Sequence, residues 1–275
     1  MQDKAILITG CSSGIGLCVA HGLRKRGYRV FASARKHADV AQLAAEGFAS
    51  LQLDLANSGS IHAAVNRVLE ETGGRLYALF NNGAYGQPGA VEDLSRECLR
   101  EQFEVNLFGT LELTNRVIPV MREQGYGRII QNSSLLGFVA LPYRGAYNAS
   151  KFALEGITLT LRLELRGTDI HAVLIEPGPI ASRFRANAQQ AFLRHVDPNA
   201  SAHREAYHKL LQRLAAKGPA VPFTLPPDAV LARVIPALES RRPRPHYYVT
   251  FPSYVFAALK HILPYRLLES MLARI

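Results

Sequence analysis

Two rhythms of apolar residues alternate along this chain. Short, nearly continuous apolar runs stand at residues 5–9 (AILIT), 29–34 (RVFASA), 50–54 (SLQLD), 77–81 (YALFN), 128–132 (RIIQN), 171–176 (HAVLIE) and 246–250 (HYYVT). Each has the length of a strand, and strands without polar alternation are those covered on both faces. Between them, apolar residues recur at helical spacing over 15–26, 60–71, 97–122 and 148–166, the mark of amphipathic helices. Strand and helix in alternation predict an α/β fold, a Rossmann-like, doubly wound parallel sheet of about seven strands with helices on both faces.

After residue 178 the rhythm changes. Residues 179–227 show no clear strand and two short helix-like pieces, near 188–195 and 204–216. A stretch of that length reads as a helical substrate lid inserted in a single domain spanning 1–275. The C-terminal stretch 252–275 is an amphipathic tail divided by Pro264, with Lys260, His261, Arg266 and Arg274 among its apolar residues. It can cover a pocket, contact another subunit or lie on an anionic membrane as a peripheral contact, and the first two are favoured.

Composition narrows the class. With 275 residues and 48% hydrophobic content the chain can bury a large core. Cys11, Cys18 and Cys98 form no C-x-x-C pair, so neither a disulfide framework nor a zinc site is expected. Histidines 195, 203 and 208 are too loosely spaced, and too poor in acidic neighbours, to suggest a metal site. The first residues run into a strand too soon for a signal peptide, and no apolar run approaches the roughly 18 residues of a membrane span; a cytoplasmic location is expected. The net charge of +10 sits unevenly: residues 1–182 hold 18 basic and 17 acidic side chains, residues 183–275 hold 14 and 5. No nucleic-acid motif accompanies this excess, so it reads as a solvated basic face.

Chemistry enters where the first strand ends. TGCSSGIG places Gly10, Gly14 and Gly16 at a strand-to-helix turn with Ser12, Ser13 and Ile15 between them. Glycines there let a pyrophosphate approach the backbone, and the N–H groups at the helix start face the anion. At the end of the second strand a site for NAD usually carries a carboxylate, but this chain has Arg35 and Lys36 and no acid before Asp39. Arg35 can fork two bonds to a 2'-phosphate and Lys36 adds charge, which predicts NADP(H) as cofactor. Further on, Tyr147 and Lys151 stand four apart on one helix face. A free phenol has a pKa near 10, and a cation about 4 Å away is worth on the order of 4 kcal/mol, so Lys151 is expected to lower the pKa of Tyr147.

These segments, together with LDL at Asp54, NNGA from Asn81, VNLFG with Asn106, NSSLLG with Ser134, YNASK and EPGPIAS from Glu176, resemble in order the short-chain dehydrogenase/reductase family across nearly the whole chain. The resemblance implies a catalytic group of Asn106, Ser134, Tyr147 and Lys151. Tyr147 would serve as general acid/base, Ser134 would bond the substrate oxygen, Lys151 would hold the nicotinamide ribose and Asn106 would position a water relay. It also implies cofactor contacts at Asp54, Leu55, Asn81, Gly83, Pro177, Gly178, Ile180 and Ser182, besides Tyr147 and Lys151. Two positions depart from the family pattern: Gly83-Ala84 inverts its usual Ala-Gly, and Ser182 replaces its frequent threonine. Within the family, TGCSSGIG with ASKFALEG is similar to the hydroxysteroid and retinol dehydrogenase branch, implying an NADP(H)-dependent carbonyl reductase acting on a small hydrophobic carbonyl or alcohol, as a homo-oligomer (dimer or tetramer). A catalytically silent NADP(H) sensor on the same fold is the alternative reading. Lid residues Phe184, Phe192, Leu193, Tyr207, Leu210, Leu211 and Leu214 would either line the substrate pocket or pack the lid onto the body.

Overall fold

The computed structural model of the chain describes residues 4–216, 218 and 221–274. Residues 217, 219 and 220 of the lid stretch, Ile275 of the tail and residues 1–3 lie outside the described residues. Seven parallel strands form one sheet: β1 (Ala5–Ile8), β2 (Arg29–Ala34), β3 (Ala49–Gln52), β4 (Ala78–Asn81), β5 (Tyr126–Asn132), β6 (Asp169–Glu176) and β7 (His246–Tyr248), in the order β3-β2-β1-β4-β5-β6-β7. The order reverses between β1 and β4, which opens a crevice beyond their carboxyl ends, where α/β sheets bind ligands.

Helices cover both faces. α1 (Gly14–Lys25), α2 (His37–Ala45) and α9 (Asp228–Glu239) lie with one core; α3 (Ser58–Thr72) and α5 (Gly109–Gln124) lie with the other. The first core joins Ile6, Ile8, Val19, Leu23, Phe80 and Val234; the second joins Leu7, Phe31, Ile61, Leu79, Leu113 and Val117. Successive residues of β1 thus enter opposite cores, as strand alternation demands. That double burial explains why its sequence is apolar without a break.

Periodicity predicts one helix over 97–122, but the chain divides there. α4 (Arg96–Phe103) runs into a π-helical turn at Glu104–Phe108 before α5 begins. A π turn widens the helix locally and is frequent at functional sites; here it sets Asn106 into the interior. The expected lid segment, 179–227, carries α7 (Phe184–His195) and α8 (Arg204–Ala215), and its ends are tied by paired hydrogen bonds, Ala181 N to Leu225 O and Leu225 N to Pro179 O. α6 (Gly145–Glu164) precedes β6, and the tail forms α10 (Phe251–Ile262) and α11 (Tyr265–Leu272). Among the described residues no helix is long and apolar enough to cross a membrane.

Candidate active site

The glycine loop is built by exclusion of side chains. Gly10 and Gly14 have φ of +70° and +58°, and a Cβ on either would fall 2.9 Å from its neighbour, Gly83 Cα or Ser182 Cβ. Gly16 serves packing instead: its Cβ would sit 2.2 Å from the Gly10 carbonyl oxygen. Ser13 caps α1 without a side-chain bond, so the first N–H groups keep their capacity for an anion. The loop therefore fits the pyrophosphate of a dinucleotide, with the ends of β1 and β4 as its floor.

Asn82 holds that floor together. Its Nδ2 donates to the carbonyls of Thr9 (3.0 Å) and Gly10 (3.2 Å), and its Oδ1 accepts from Asn132 Nδ2 (2.9 Å). Gly83 N donates to Thr9 Oγ1 (2.7 Å), so the inverted Gly83-Ala84 still brings bare backbone against the loop. At Asn81 only the backbone is left to meet a cofactor. Its side chain turns away from the crevice and donates to Thr114 Oγ1 (2.9 Å) on α5; strand alternation gives the crevice to Asn82.

At the end of β2, Arg35 and Lys36 are exposed, and β2 itself carries no carboxylate. Asp54 is fixed in a turn, its Oδ1 accepting from Ala56 N (3.0 Å) and its N–H donating to Ser60 Oγ (3.0 Å). Leu55 is buried beneath; its carbonyl lies so close to Gly109 that a Cβ there would meet it at 1.8 Å.

A cavity of about 940 Å³ runs from this loop to the lid. Gly10, Ser12, Ser13, Gly14, Ile15, Gly83, Ser134, Tyr147, Lys151, Pro177, Gly178, Ile180 and Ser182 all line it. Gly16, Arg35, Lys36, Asp54, Leu55, Asn81 and Asn106 stand outside its wall. Asn106 instead braces the site: its Nδ2 donates to Tyr85 O (2.9 Å) and Ser150 Oγ (3.1 Å), and its Oδ1 accepts from Tyr85 N (3.2 Å). Of the lid residues, Phe184 and Leu214 line the cavity, Phe192, Tyr207 and Leu210 are buried in a separate core with Leu94 and Ala146, and Leu193 faces outward.

Tyr147 and Lys151 are both buried, and Lys151 Nζ donates to Asn132 O (2.7 Å) while standing 5.8 Å from the Tyr147 ring centre. The expected lowering of the tyrosine pKa is reversed by burial. Burial pushes the Tyr147 phenol up to about 12, against a weaker pull from its hydrogen bond with Ser134. Burial likewise brings Lys151 down to about 8, opposed by the Glu155 charge. Loss of water outweighs a cation whose ammonium is turned to a backbone carbonyl. Ser134 Oγ donates weakly to Pro177 O (3.5 Å) and accepts from Leu136 N (3.1 Å), which fixes the hydroxyl beside Tyr147.

Several supporting residues escaped sequence reasoning. Asn82 and Asn132 join three strand ends, and Thr250 Oγ1 accepts from Gly178 N (3.2 Å). Behind Tyr147 and Lys151 lies a cluster of buried Glu155 and Glu176 with half-buried His246, whose Nδ1 stands 3.0 Å from Glu176 Oε1. Burial raises both carboxyls, Glu155 to about 7 with help from Glu176, while the bond to Glu176 raises His246. The spacing of 155, 176 and 246 carries no local signal.

Residues 4–192 match the model of the short chain dehydrogenase family. The chain belongs to that family. Over 272 residues it is 39% identical to YbbO, an uncharacterized oxidoreductase of Escherichia coli K12, covering 99% of this chain and 95% of the other. It is 32% identical over 263 residues to human 17-beta-hydroxysteroid dehydrogenase type 1, covering 91% and 78%. Among solved structures, a short chain dehydrogenase/reductase from Burkholderia phymatum in complex with NAD superposes with a TM-score of 0.79 at 25% identity, covering 95% and 94%. The chain is thus an oxidoreductase of a family that uses a nicotinamide cofactor.

Proposed function

We propose that the protein interconverts a hydrophobic secondary alcohol and its ketone, or an alcohol and an aldehyde, using NADP(H), with Tyr147 as general acid/base. One observation carries the reading: Tyr147, Ser134 and Lys151 share the wall of a single cavity with the glycine loop and with apolar residues of the lid and tail. A bound nicotinamide supplies or accepts the hydride. Gly10, Ser12, Ser13, Gly14 and Ile15 would hold its diphosphate, and Arg35 with Lys36 would hold the 2'-phosphate. Tyr147 keeps its proton at neutral pH because burial disfavours the phenolate, which suits donation to a carbonyl oxygen. Ser134 adds a hydrogen bond where negative charge develops. Lys151, buried and cationic below about pH 8, stabilises the phenolate left behind. Asn106 is a positioning residue that steadies Tyr85 and Ser150 around this group.

The apolar walls, among them Leu136, Val139, Leu141 and Phe256, support a hydrophobic substrate, as does the likeness to a hydroxysteroid dehydrogenase. Pro252, Phe256 and Leu272 of the tail also face this cavity, which supports a tail that covers the pocket. For self-association, an exposed apolar stripe of Phe152, Leu159 and Leu163 on α6, together with exposed Phe108 on the π turn that packs against α6, offers a face for a second copy. Sedimentation equilibrium tests that; a monomer at micromolar concentration would refute it. The reaction is tested by NADPH absorbance with aliphatic, aromatic, steroid and retinoid carbonyls. Turnover with at least one apolar carbonyl, faster with NADPH than with NADH, is the expected result; equal efficiency with both coenzymes refutes the cofactor preference.

A further inference from the structure

Among the described residues the cavity wall carries five cations, Arg144, Lys151, Arg183, Arg185 and Arg213, and no carboxylate. Three of them are set aside. Lys151 belongs to the proposed catalytic group, and Arg183 is exposed, where water screens its charge. Arg185 is committed to the carbonyls of Arg213, Ala216 and Gly218. Arg144 and Arg213 remain.

Arg144 is the residue before α6, three positions ahead of Tyr147, and among the described residues its guanidinium donates only to the neighbouring Tyr143 carbonyl (3.0 Å). Arg213 reaches the cavity from α8 of the lid. Among the described residues its side chain has no hydrogen bond or ion pair, and its electrostatic partner is Arg144 itself. Burial first, and then the charge of Arg213, bring Arg144 down to about 10. Two half-buried guanidinium groups facing one cavity without a counter-charge repel each other, an arrangement that costs stability unless an anion completes it. A planar fork matches a carboxylate in two-point contact. Because one arginine belongs to the body and the other to the lid, a shared anion would also tie the lid down over the catalytic tyrosine.

We propose that Arg144 and Arg213 bind a carboxylate on the substrate, so that this chain acts on apolar oxo- and hydroxycarboxylates in preference to uncharged carbonyl compounds. This rests on the reading of the cavity as an oxidoreductase site, and the test separates the two. Oxodecanoates with the keto group at different positions are compared with their methyl esters, following NADPH. The acids should exceed the esters in kcat/KM by roughly tenfold or more, as a charge-assisted two-point contact warrants. In Arg213→Gln the acid-to-ester ratio should fall toward one, and Arg213→Lys should restore part of it. Esters reduced as well as acids would overturn the carboxylate site and leave the oxidoreductase reading standing. If neither is reduced, the oxidoreductase reading fails for this substrate class, and calorimetry on the wild-type chain with NADPH decides the carboxylate site alone. Decanoate should then bind at least tenfold more tightly than methyl decanoate, and equal binding overturns it. The calorimetric comparison needs no variant, so a misfolded substitution cannot obscure the answer.

Discussion

The sheet's crevice and the lid meet at one cavity yet are held together by different means. In the crevice, polar side chains are locked to backbone a few ångströms away: Asn82 to Thr9 and Gly10, Lys151 to Asn132, and Ser134 between Leu136 and Pro177. The proposed lid packs as a separate apolar layer around Phe192 and Tyr207, while Arg213 faces the cavity with no counter-ion among the described residues. Rigid strand ends hold reacting groups in place, as chemistry requires. A separately packed cover can vary what is recognised without disturbing them.

The comparison breaks most visibly at Tyr147. Tyr147→Phe removes the proton donor and leaves the ring's packing against Phe184, so kcat should drop by roughly 10²–10⁴ while the melting temperature changes little. Retained turnover would put the chemistry elsewhere. The pH dependence sharpens the point. With the phenol pushed up to about 12, reduction should be nearly flat from pH 6 to 8 in a rate profile, whereas alcohol oxidation should climb as base draws off the proton. A profile with the opposite slopes would rule out Tyr147 as the proton carrier.

A smaller effect is expected at the rim of the crevice. Replacing Arg35 and Lys36 together by serine should reduce kcat/KM with NADPH by roughly 10–100-fold, the worth of charge-assisted bonds to a phosphate, and leave NADH nearly untouched. The ratio of the two efficiencies is the measurement, and an unchanged ratio would place the 2'-phosphate elsewhere.

What could be read from the chain before folding follows the same division. The glycine loop and the Tyr147–Lys151 pair are local: their meaning lies in residues a few positions apart at a recognisable element boundary. Asn82, Asn132 and Thr250 act on partners about 50 to 73 positions away, and nothing in a local pattern marks such pairings. Asn81 and Asn82 differ by one step of a strand, so their assignment depended on register, which the parallel pairing of Ile8 with Phe80 supplies. The π turn at Asn106 inserts a single residue into a helix, and hydrophobic periodicity over a window averages that away. The lid's charge excess was visible in composition, but the facing of Arg144 and Arg213 requires the two elements to be brought together.

On the lid side, Tyr207→Phe tests how firmly the cover is held. The Tyr207 hydroxyl donates to Asp93 and accepts from Ala90 N (2.8 Å), and Asp93 is drawn down by its bonds to Ser201 and Tyr207. Loss of the hydroxyl leaves the Ala90 N–H without that partner, at a cost of about 1–3 kcal/mol. If lid and crevice are separable, KM for substrate should rise and kcat hold, with faster proteolysis within 179–227. Unchanged KM and proteolysis would mean that the apolar layer alone fixes the lid.

The gentlest probe is Glu155→Gln, and its readout is a slope. Glu155 lies one turn beyond Lys151 among Ser133, Glu176 and His246, and its carboxyl rises from 4.5 to about 7 because burial and the Glu176 charge disfavour ionisation. The folded chain therefore retains a proton that the unfolded chain has released between about pH 4.5 and 7, so this group makes stability fall as pH rises through that window. Its contribution is intact below about 4.5. Raised Glu176 and His246 act with the same sign, whereas Lys151, lowered to about 8, makes stability rise with pH above that value. Urea melts at a series of pH values should show wild-type stability declining from pH 5 to 7, by at most about 1.4 kcal/mol per unit for each proton released, and Glu155→Gln should flatten the decline. Parallel curves for the two proteins would mean that Glu155 is already ionised in the folded chain, with Lys151 as its counter-charge. The cluster would then belong to the crevice's locked polar network rather than act as a proton store behind it.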